Sequence, residues 1–175
     1  MLGGGGMVNR RSGFLMAILL AAALPGCEYF DKGPTPVTKP SPGAAFLTID
    51  VTPDPLKVLW VCPSSDAYCY GSLDSTVTVS ETAGVGGRLD SVDFVARESL
   101  LGVELTKLHL STDDIKAKAG TNRIEAMGKL AVRPIIEGYP VKNNIPRPKL
   151  NIDISVQGTD DKGNVVTQNK RVPVT

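Results

Sequence analysis

The chain is poor in several side chains on which enzymes and nucleic-acid-binding proteins depend. It has a single histidine and only 5% aromatic residues, which argues against multi-histidine metal sites and broad stacking platforms. Its 19 basic and 18 acidic side chains leave a formal net charge of +1, which gives no electrostatic basis for binding nucleic acid. The apolar run Phe14–Leu24 has 11 residues, whereas a membrane-spanning helix needs about 20. Composition therefore favours a protein that is not an enzyme, and it indicates no cofactor.

This apolar run belongs to an N-terminal segment with the layout of an export signal. Arg10 and Arg11 precede the run, and it is followed by Pro25, Gly26 and Cys27. A basic segment before a short apolar run is typical of a secretory signal peptide, which we expect over residues 1–26. Translation could start at Met1 or at Met7, and both starts keep this layout.

The tetrapeptide Leu24-Pro25-Gly26-Cys27 resembles the lipobox of bacterial lipoproteins. The resemblance implies a diacylglyceryl group on the thiol of Cys27, cleavage before that residue, and a lipid bilayer as partner. Two or three acyl chains on one residue hold a protein stably on a membrane, whereas one chain holds it only marginally. Glu28, by analogy with enterobacterial sorting, implies the outer membrane of the bacterial cell envelope. The alternatives are a secreted protein in which Cys27 forms a disulfide, and a short buried helix.

Beyond Cys27 the sequence predicts a tether and one domain. Residues 27–43 carry four prolines among polar residues, which indicates an extended, semi-rigid tether. Residues 44–175 are enough for a single domain with its own core. Runs such as Thr76–Thr82 and Leu89–Arg97 alternate apolar and polar side chains between turn residues, which is typical of half-buried antiparallel strands. We therefore predict an all-β sandwich of about seven or eight strands.

Two local patterns refine this fold. Ser111–Asp114 offers a helix cap and Gly120 a stop, so one short helical turn is expected near residues 112–119. Val156–Asp160, the turn Asp161–Asn164 and the closing Val172–Val174 resemble the immunoglobulin-like domains that recur in secreted bacterial proteins. That resemblance implies an immunoglobulin-like antiparallel sandwich, and it concerns the fold alone.

The remaining cysteines and the aromatic residues near them supply the candidate site. With Cys27 assigned to lipid, Cys62 and Cys69 form an even pair, which predicts a disulfide in an oxidising compartment. Their spacing, without a nearby histidine, fits zinc poorly. Trp60, Tyr68 and Tyr70 flank this loop, and loops at the ends of a sandwich often bind partners through such residues. The alternative is that Trp60 belongs to the core and the tyrosines shield it.

Three further patterns are interpreted as structural. His109 lies on a predicted strand without a nucleophile motif nearby. Gly84–Gly87 joins two strands, whereas a phosphate-binding glycine loop precedes a helix. Asp160–Asn164 offers oxygen ligands, but the terminal Glu of a calcium-binding EF-hand is missing, so a hairpin turn explains it better than calcium. We predict no catalytic residues and no metal site.

The sequence thus predicts a lipid-anchored envelope lipoprotein that binds or adheres without catalysis. Its partner would be an envelope protein or a glycan, with no nucleic acid, and the contact would involve the loop from Cys62 to Tyr70. The alternative function is that of a structural accessory subunit in an envelope assembly or transport complex.

Overall fold

The computed structural model describes residues 43–175 of the chain. The predicted signal peptide, Cys27 and the tether as far as residue 42 lie outside the described residues. The described part forms eleven strands and one helix. In chain order these are β1 Leu47–Thr52, β2 Val58–Val61, β3 Tyr68–Asp74, β4 Thr76–Glu81, β5 Gly87–Glu98, β6 Glu104–Ser111, α1 Thr112–Ala119, β7 Arg123–Ile124, β8 Lys129–Val132, β9 Ile135–Lys142, β10 Leu150–Asp160 and β11 Val165–Val174.

One layer of the fold is an antiparallel sheet in the order β11-β10-β5-β6, with β7 pairing to the start of β5. Its strands alternate as the sequence pattern predicts. In β10, Ile152 and Ile154 are buried, while Asp153 and Ser155 between them are only half-buried. Because successive side chains of a strand point to opposite faces, one face of this sheet turns inward.

The second layer consists of two three-stranded sheets with matching strand orders, β1-β4-β8 and β2-β3-β9. The chain passes from one sheet to the other between β1 and β2, between β3 and β4, and between β8 and β9. Two of these breaks contain prolines, Pro53 with Pro55 and Pro134, which cannot donate to a strand ladder. At the other break, Asp74 forms a two-pronged ion pair with Arg133, with N–O distances of 2.9 and 2.6 Å. The two sheets are therefore halves of one bent layer.

These breaks explain how the strand count differs from the prediction. Each of the three breaks divides one long strand into two, so the structure has eleven strands rather than the seven or eight expected. Joined across the breaks, the eleven become eight. The sequence pattern also missed β3, because turn-forming residues surround Cys69 and hide its alternation.

A single core cluster lies between the two layers. Val77 and Val79 come from the bent layer, and Phe94 and Ile154 come from the four-stranded sheet. All four side chains are at most 2% exposed. The prediction of an all-β, antiparallel, sandwich-like fold is confirmed.

The predicted helix is also present, with both of its end signals. Ser111 caps α1 through a reciprocal pair of hydrogen bonds with Asp114, and Gly120 ends the helix in a left-handed conformation with φ of 78°. Ile115 anchors the helix to the core and is fully buried.

The sandwich has two distinct ends. β10 runs from Leu150 at the end that carries β2, β3 and β9 to Asp160 at the end that carries α1. We call these the disulfide end and the helix end. The described chain begins at the helix end, where the Gly43 carbonyl accepts a hydrogen bond from Lys162 Nζ at 2.7 Å and Ala45 N donates to Asp160 at 3.1 Å.

Candidate binding site at the disulfide end

The predicted disulfide between Cys62 and Cys69 is confirmed, and it closes the hairpin formed by β2 and β3. Asp66 organises the loop between the two cysteines. One of its carboxylate oxygens accepts from Tyr68 N at 3.1 Å, and the other accepts from the Tyr70 hydroxyl at 2.8 Å. The hydrogen bond to Asp66 raises the pKa of Tyr70, so its phenol stays a hydrogen-bond donor. The loop is thus fixed covalently and by hydrogen bonds.

Arg147 holds the loop that follows β9 against this hairpin. Its guanidinium carbon lies 4.9 Å from the centre of the Trp60 ring, within the range of a cation–π contact. Its Nη2 lies 2.7 Å from Cys69 Sγ and 3.2 Å from Cys62 Sγ, and its Nη1 donates to the Lys142 carbonyl. Residues 143–149 are therefore held against the disulfide rather than left as an independent loop.

The structure separates the three aromatic residues that the sequence grouped together. Trp60 is half-buried on the inner face of the bent layer, where it meets the Tyr139 ring edge-on at 5.3 Å. Tyr68 and Tyr70 point to the outer face, and each is 38% exposed. The tyrosines therefore do not cover Trp60, and the three do not form one surface. Their role in binding stays a prediction.

An outer apolar face that the sequence pattern did not predict surrounds the two tyrosines. Leu59 and Val61 of β2 are 67% and 56% exposed. Strand pairing aligns Val61, Tyr70 and Pro140 in one row across β2, β3 and β9. We define the outer apolar face by these residues together: Leu59, Val61, Tyr68, Tyr70 and Pro140. The signal for it was the alternation of Leu59 and Val61 with Trp60, since a strand that buries Trp60 must expose both neighbours.

A shallow polar depression adjoins this face. It has a volume of about 470 Å³ and is lined by Asp66, Ala67, Tyr68, Lys142, Asn143 and Asn144. The lining combines a carboxylate, an ammonium group and two amides with the edge of an aromatic ring. Such a set offers both donors and acceptors to a polar ligand.

The cavity beside Glu81 and Asp160 at the helix end is much smaller. Its volume is about 10 Å³, which is about the room of one water molecule. Over residues 43–175 no group of three or more His, Cys, Asp and Glu side chains is arranged to hold a metal ion.

The buried carboxylates of the helix end accept hydrogen bonds from backbone amides. Glu81 is 2% exposed and accepts hydrogen bonds from the amides of five residues. The donors are Phe46, Ala83, Gly84, Val85 and Met127. Burial alone would raise its pKa, but these bonds outweigh burial and hold the pKa of Glu81 below its ordinary value. Gly84 and its neighbours, weighed above as a phosphate loop, thus bind a carboxylate of their own chain.

Asp160 acts in the same way in the turn between β10 and β11. Burial opposes its ionisation, but bonds from Asn164, Ala45 and Lys162 lower its pKa to about 2. Its neighbour Asp161 pairs with Arg123 at 2.8 and 2.9 Å. The interpretation of this segment as a hairpin turn agrees with these contacts.

His109 lies on the exposed face of β6. Its Nδ1 is 2.9 Å from Asp93 Oδ1, and Lys107 Nζ is 3.5 Å from the same oxygen. This arrangement is an open surface cluster on a sheet rather than a pocket.

The described residues contain no helix long and apolar enough to cross a membrane.

Comparison with known proteins adds little to this picture. No protein-family model and no curated protein sequence matches the chain. An X-ray structure of Northeast Structural Genomics Consortium target SoR45 is similar, with 9% identity, a TM-score of 0.47, and coverage of 72% of this chain and 85% of that one. A crystal structure of the putative ApaA protein from Bordetella pertussis has 12% identity and a TM-score of 0.47, and the match covers 75% of this chain and 95% of that one. Likeness at this level says nothing about function.

Proposed function

We propose that the protein is a lipoprotein of the bacterial cell envelope, anchored through acylated Cys27, in which the sandwich acts as a non-catalytic binding or adhesion module. The observation that carries the binding role is the disulfide end itself. There, a hairpin braced by the disulfide, Asp66 and Arg147 presents an apolar face beside a polar depression. A rigid surface of this kind loses little conformational freedom when it binds.

We further propose that the sandwich is immunoglobulin-like. In such domains strands A, B and E share one sheet, and strands C, F and G share the other. Here β1, β4 and β8 stand in the places of A, B and E, while β5, β10 and β11 stand in those of C, F and G. Between β1 and β2, Leu56 pairs in parallel with Val174 of β11, so the bent layer contacts the edge of the opposite sheet there. Support for this assignment comes from strand order alone.

The partner we propose is an envelope protein or a glycan. The exposed Tyr68 ring and the amides of Asn143 and Asn144 suit a polar ligand with apolar patches. Leu59 and Val61 extend the contact for a larger partner. The outer face binds because its apolar side chains leave water on contact.

Lipidation is tested by metabolic labelling with a fatty-acid analogue. We expect label on the wild-type protein and none on the Cys27→Ala variant. Label on the variant would contradict anchoring at this residue.

The binding role is tested by chemical crosslinking and mass spectrometry in the native envelope. The variant L59S/V61S/Y68S should lose the crosslinks of the wild type, whereas the matched control M127S/V165S at the helix end should keep them. Met127 and Val165 are 66% and 65% exposed, so the control removes similar apolar surface without touching the disulfide end. Equal crosslinking by both variants would contradict the proposal.

One feature favours the alternative, an accessory subunit of an envelope assembly. β2 is the edge strand of its sheet. Val58 N there donates to the Thr175 carbonyl at 3.3 Å, but residues 59–61 beyond it contain neither charge nor proline, the usual protection of an edge against pairing. Another chain could add a strand there. If so, Val61→Lys should release the protein from a stable complex, and retention of the complex would rule out pairing at β2.

A further inference from the structure

The hairpin between β5 and β6 presents apolar side chains at its tip. Leu100 is 86% exposed, Leu101 is 67% exposed and Val103 is 50% exposed. Hairpin turns usually carry polar residues, glycine or proline. Two consecutive leucines at such a position expose apolar surface that folding leaves in water.

The backbone amides of this tip donate hydrogen bonds to acceptors within the protein. The Glu98 carboxylate accepts from the amides of Leu100 and Leu101, at 2.9 Å for the first. Gly102 N donates to the Glu98 carbonyl at 3.0 Å, and Glu98 N donates to the Val103 carbonyl at 2.9 Å. Ser99 N bonds to a carbonyl of the neighbouring loop. Every amide from residue 98 to residue 102 thus has an acceptor, and Gly102, with φ of 68°, closes the turn.

We propose that the tip Leu100–Val103 inserts into the apolar boundary of a lipid bilayer. A stable protein–protein interface uses about 20–30 residues a side, whereas this feature is a protrusion with three exposed apolar side chains. A bilayer accepts so small an apolar element at a depth of about 5–10 Å. It also favours backbone polar groups that are paired internally, as the amides of Leu100 and Leu101 are by the Glu98 carboxylate.

The charges around the tip are balanced. Arg97 pairs with Glu104 at 3.2 Å and with Asp153 at 3.3 Å, and Asp153 is also paired with Arg171 at 2.6 Å. Glu98 bears one negative charge at the base of the tip, and exposed Lys149 beside Ser99 bears one positive charge. Insertion therefore depends on apolar contact, and it is expected on neutral as well as anionic membranes. It does not depend on lipidation of Cys27.

The test uses tryptophan fluorescence of the full chain as purified from producing cells. Trp60 is the only tryptophan, so W60F removes the intrinsic signal. In that background, L101W places a reporter at the tip, and M127W places a matched exposed reporter at the helix end. Vesicles of phosphatidylcholine alone, and of phosphatidylcholine with phosphatidylglycerol, are added with and without brominated acyl chains.

We expect emission of L101W to shift to the blue with both vesicle types and to be quenched by brominated chains, while M127W stays accessible to acrylamide. If the L101W reporter remained as accessible to acrylamide as M127W, the proposal would fail. It would also fail if L101W emission shifted only when envelope protein was added without vesicles, because a protein pocket would then cover the tip.

Discussion

At the helix end of the sandwich the carboxylates of Glu81 and Asp160 are buried and occupied by backbone amides, whereas at the disulfide end apolar side chains face solvent. Of the twelve large apolar side chains that are exposed among the described residues, ten lie in the half of the fold with the disulfide. The other two are Met127 and Val165. One end thus uses its polar groups to fix the fold, and the other leaves apolar surface free. This difference is our physical basis for proposing that the first end stabilises the fold and that the second binds a partner.

The largest effect is expected from a substitution at Glu81, which tests whether the helix end stabilises the fold. We expect Glu81→Gln to lower the free energy of unfolding by about 3 kcal/mol, because an amide nitrogen would face backbone donors and lose charge-assisted bonds. Thermal and denaturant unfolding followed by circular dichroism measure this. The control Glu125→Gln removes an exposed partner of Arg123 and should cost less than about 1 kcal/mol. Equal losses in the two variants would contradict the role of Glu81.

Low pH should destabilise the helix end of the sandwich. Asp160 has a folded-state pKa of about 2 against an ordinary value of 3.8, so between these values the unfolded chain binds more protons than the folded protein. Its contribution is therefore complete above about pH 4 and is lost as the pH falls toward 2, and Glu81 acts in the same direction. Hydrogen exchange should show the Ala45 amide losing protection with acid. In Asp160→Asn this part of the pH dependence should disappear, and an unchanged profile would refute the assignment.

Removal of the disulfide sharpens the comparison, because its effect should stay local. C62S/C69S opens a ring of eight residues and should cost about 2.5 kcal/mol by the loop-entropy relation. The fluorescence of Trp60, which Arg147 contacts, should change at lower denaturant than the circular dichroism signal does. Coincident transitions for both signals would show that the two ends unfold as one.

The smallest effect is expected at Tyr139. Its ring covers Gly71 and meets Trp60, but its buried hydroxyl has no hydrogen-bond partner among the described residues. Tyr139→Phe keeps the ring and removes the unpaired group, so it should be neutral or stabilising by up to about 1 kcal/mol. A clear loss of stability would reveal a partner for this hydroxyl.

In contrast, Gly71→Ala should destabilise the folded protein, since an added Cβ would lie 2.4 Å from Tyr139 Cζ.

The fold was more predictable than the site. Alternation between turns identified β4 and β5, and Ser111 with Gly120 placed α1 correctly, because these signals are local. The pairing of β1, β4 and β8 is not local, and neither is the burial of Glu81, whose five amide donors come from three separate segments. The cysteine count predicted the disulfide, but the position of Arg147 between Trp60 and the two sulfurs depends on how β9 turns back.

The sequence brought three aromatic residues together beside the disulfide loop, but it did not show on which face each of them lies. Trp60, Tyr68 and Tyr70 flank the loop in sequence, and a strand then sends Trp60 to the opposite face. The exposed leucines at residues 100 and 101 went unnoticed because periodicity describes strands and says little about what a turn presents.

The central claim, that the disulfide end carries the contacts of an envelope-anchored protein, is tested most directly by site-specific photocrosslinking in intact cells. A photoreactive side chain would replace Tyr68 at the disulfide end or Met127 at the helix end of the full chain. We predict crosslinked products from position 68 and few from position 127, with both proteins at equal levels in the membrane fraction. Equal or greater crosslinking from position 127, or a protein absent from the membrane fraction, would contradict the account.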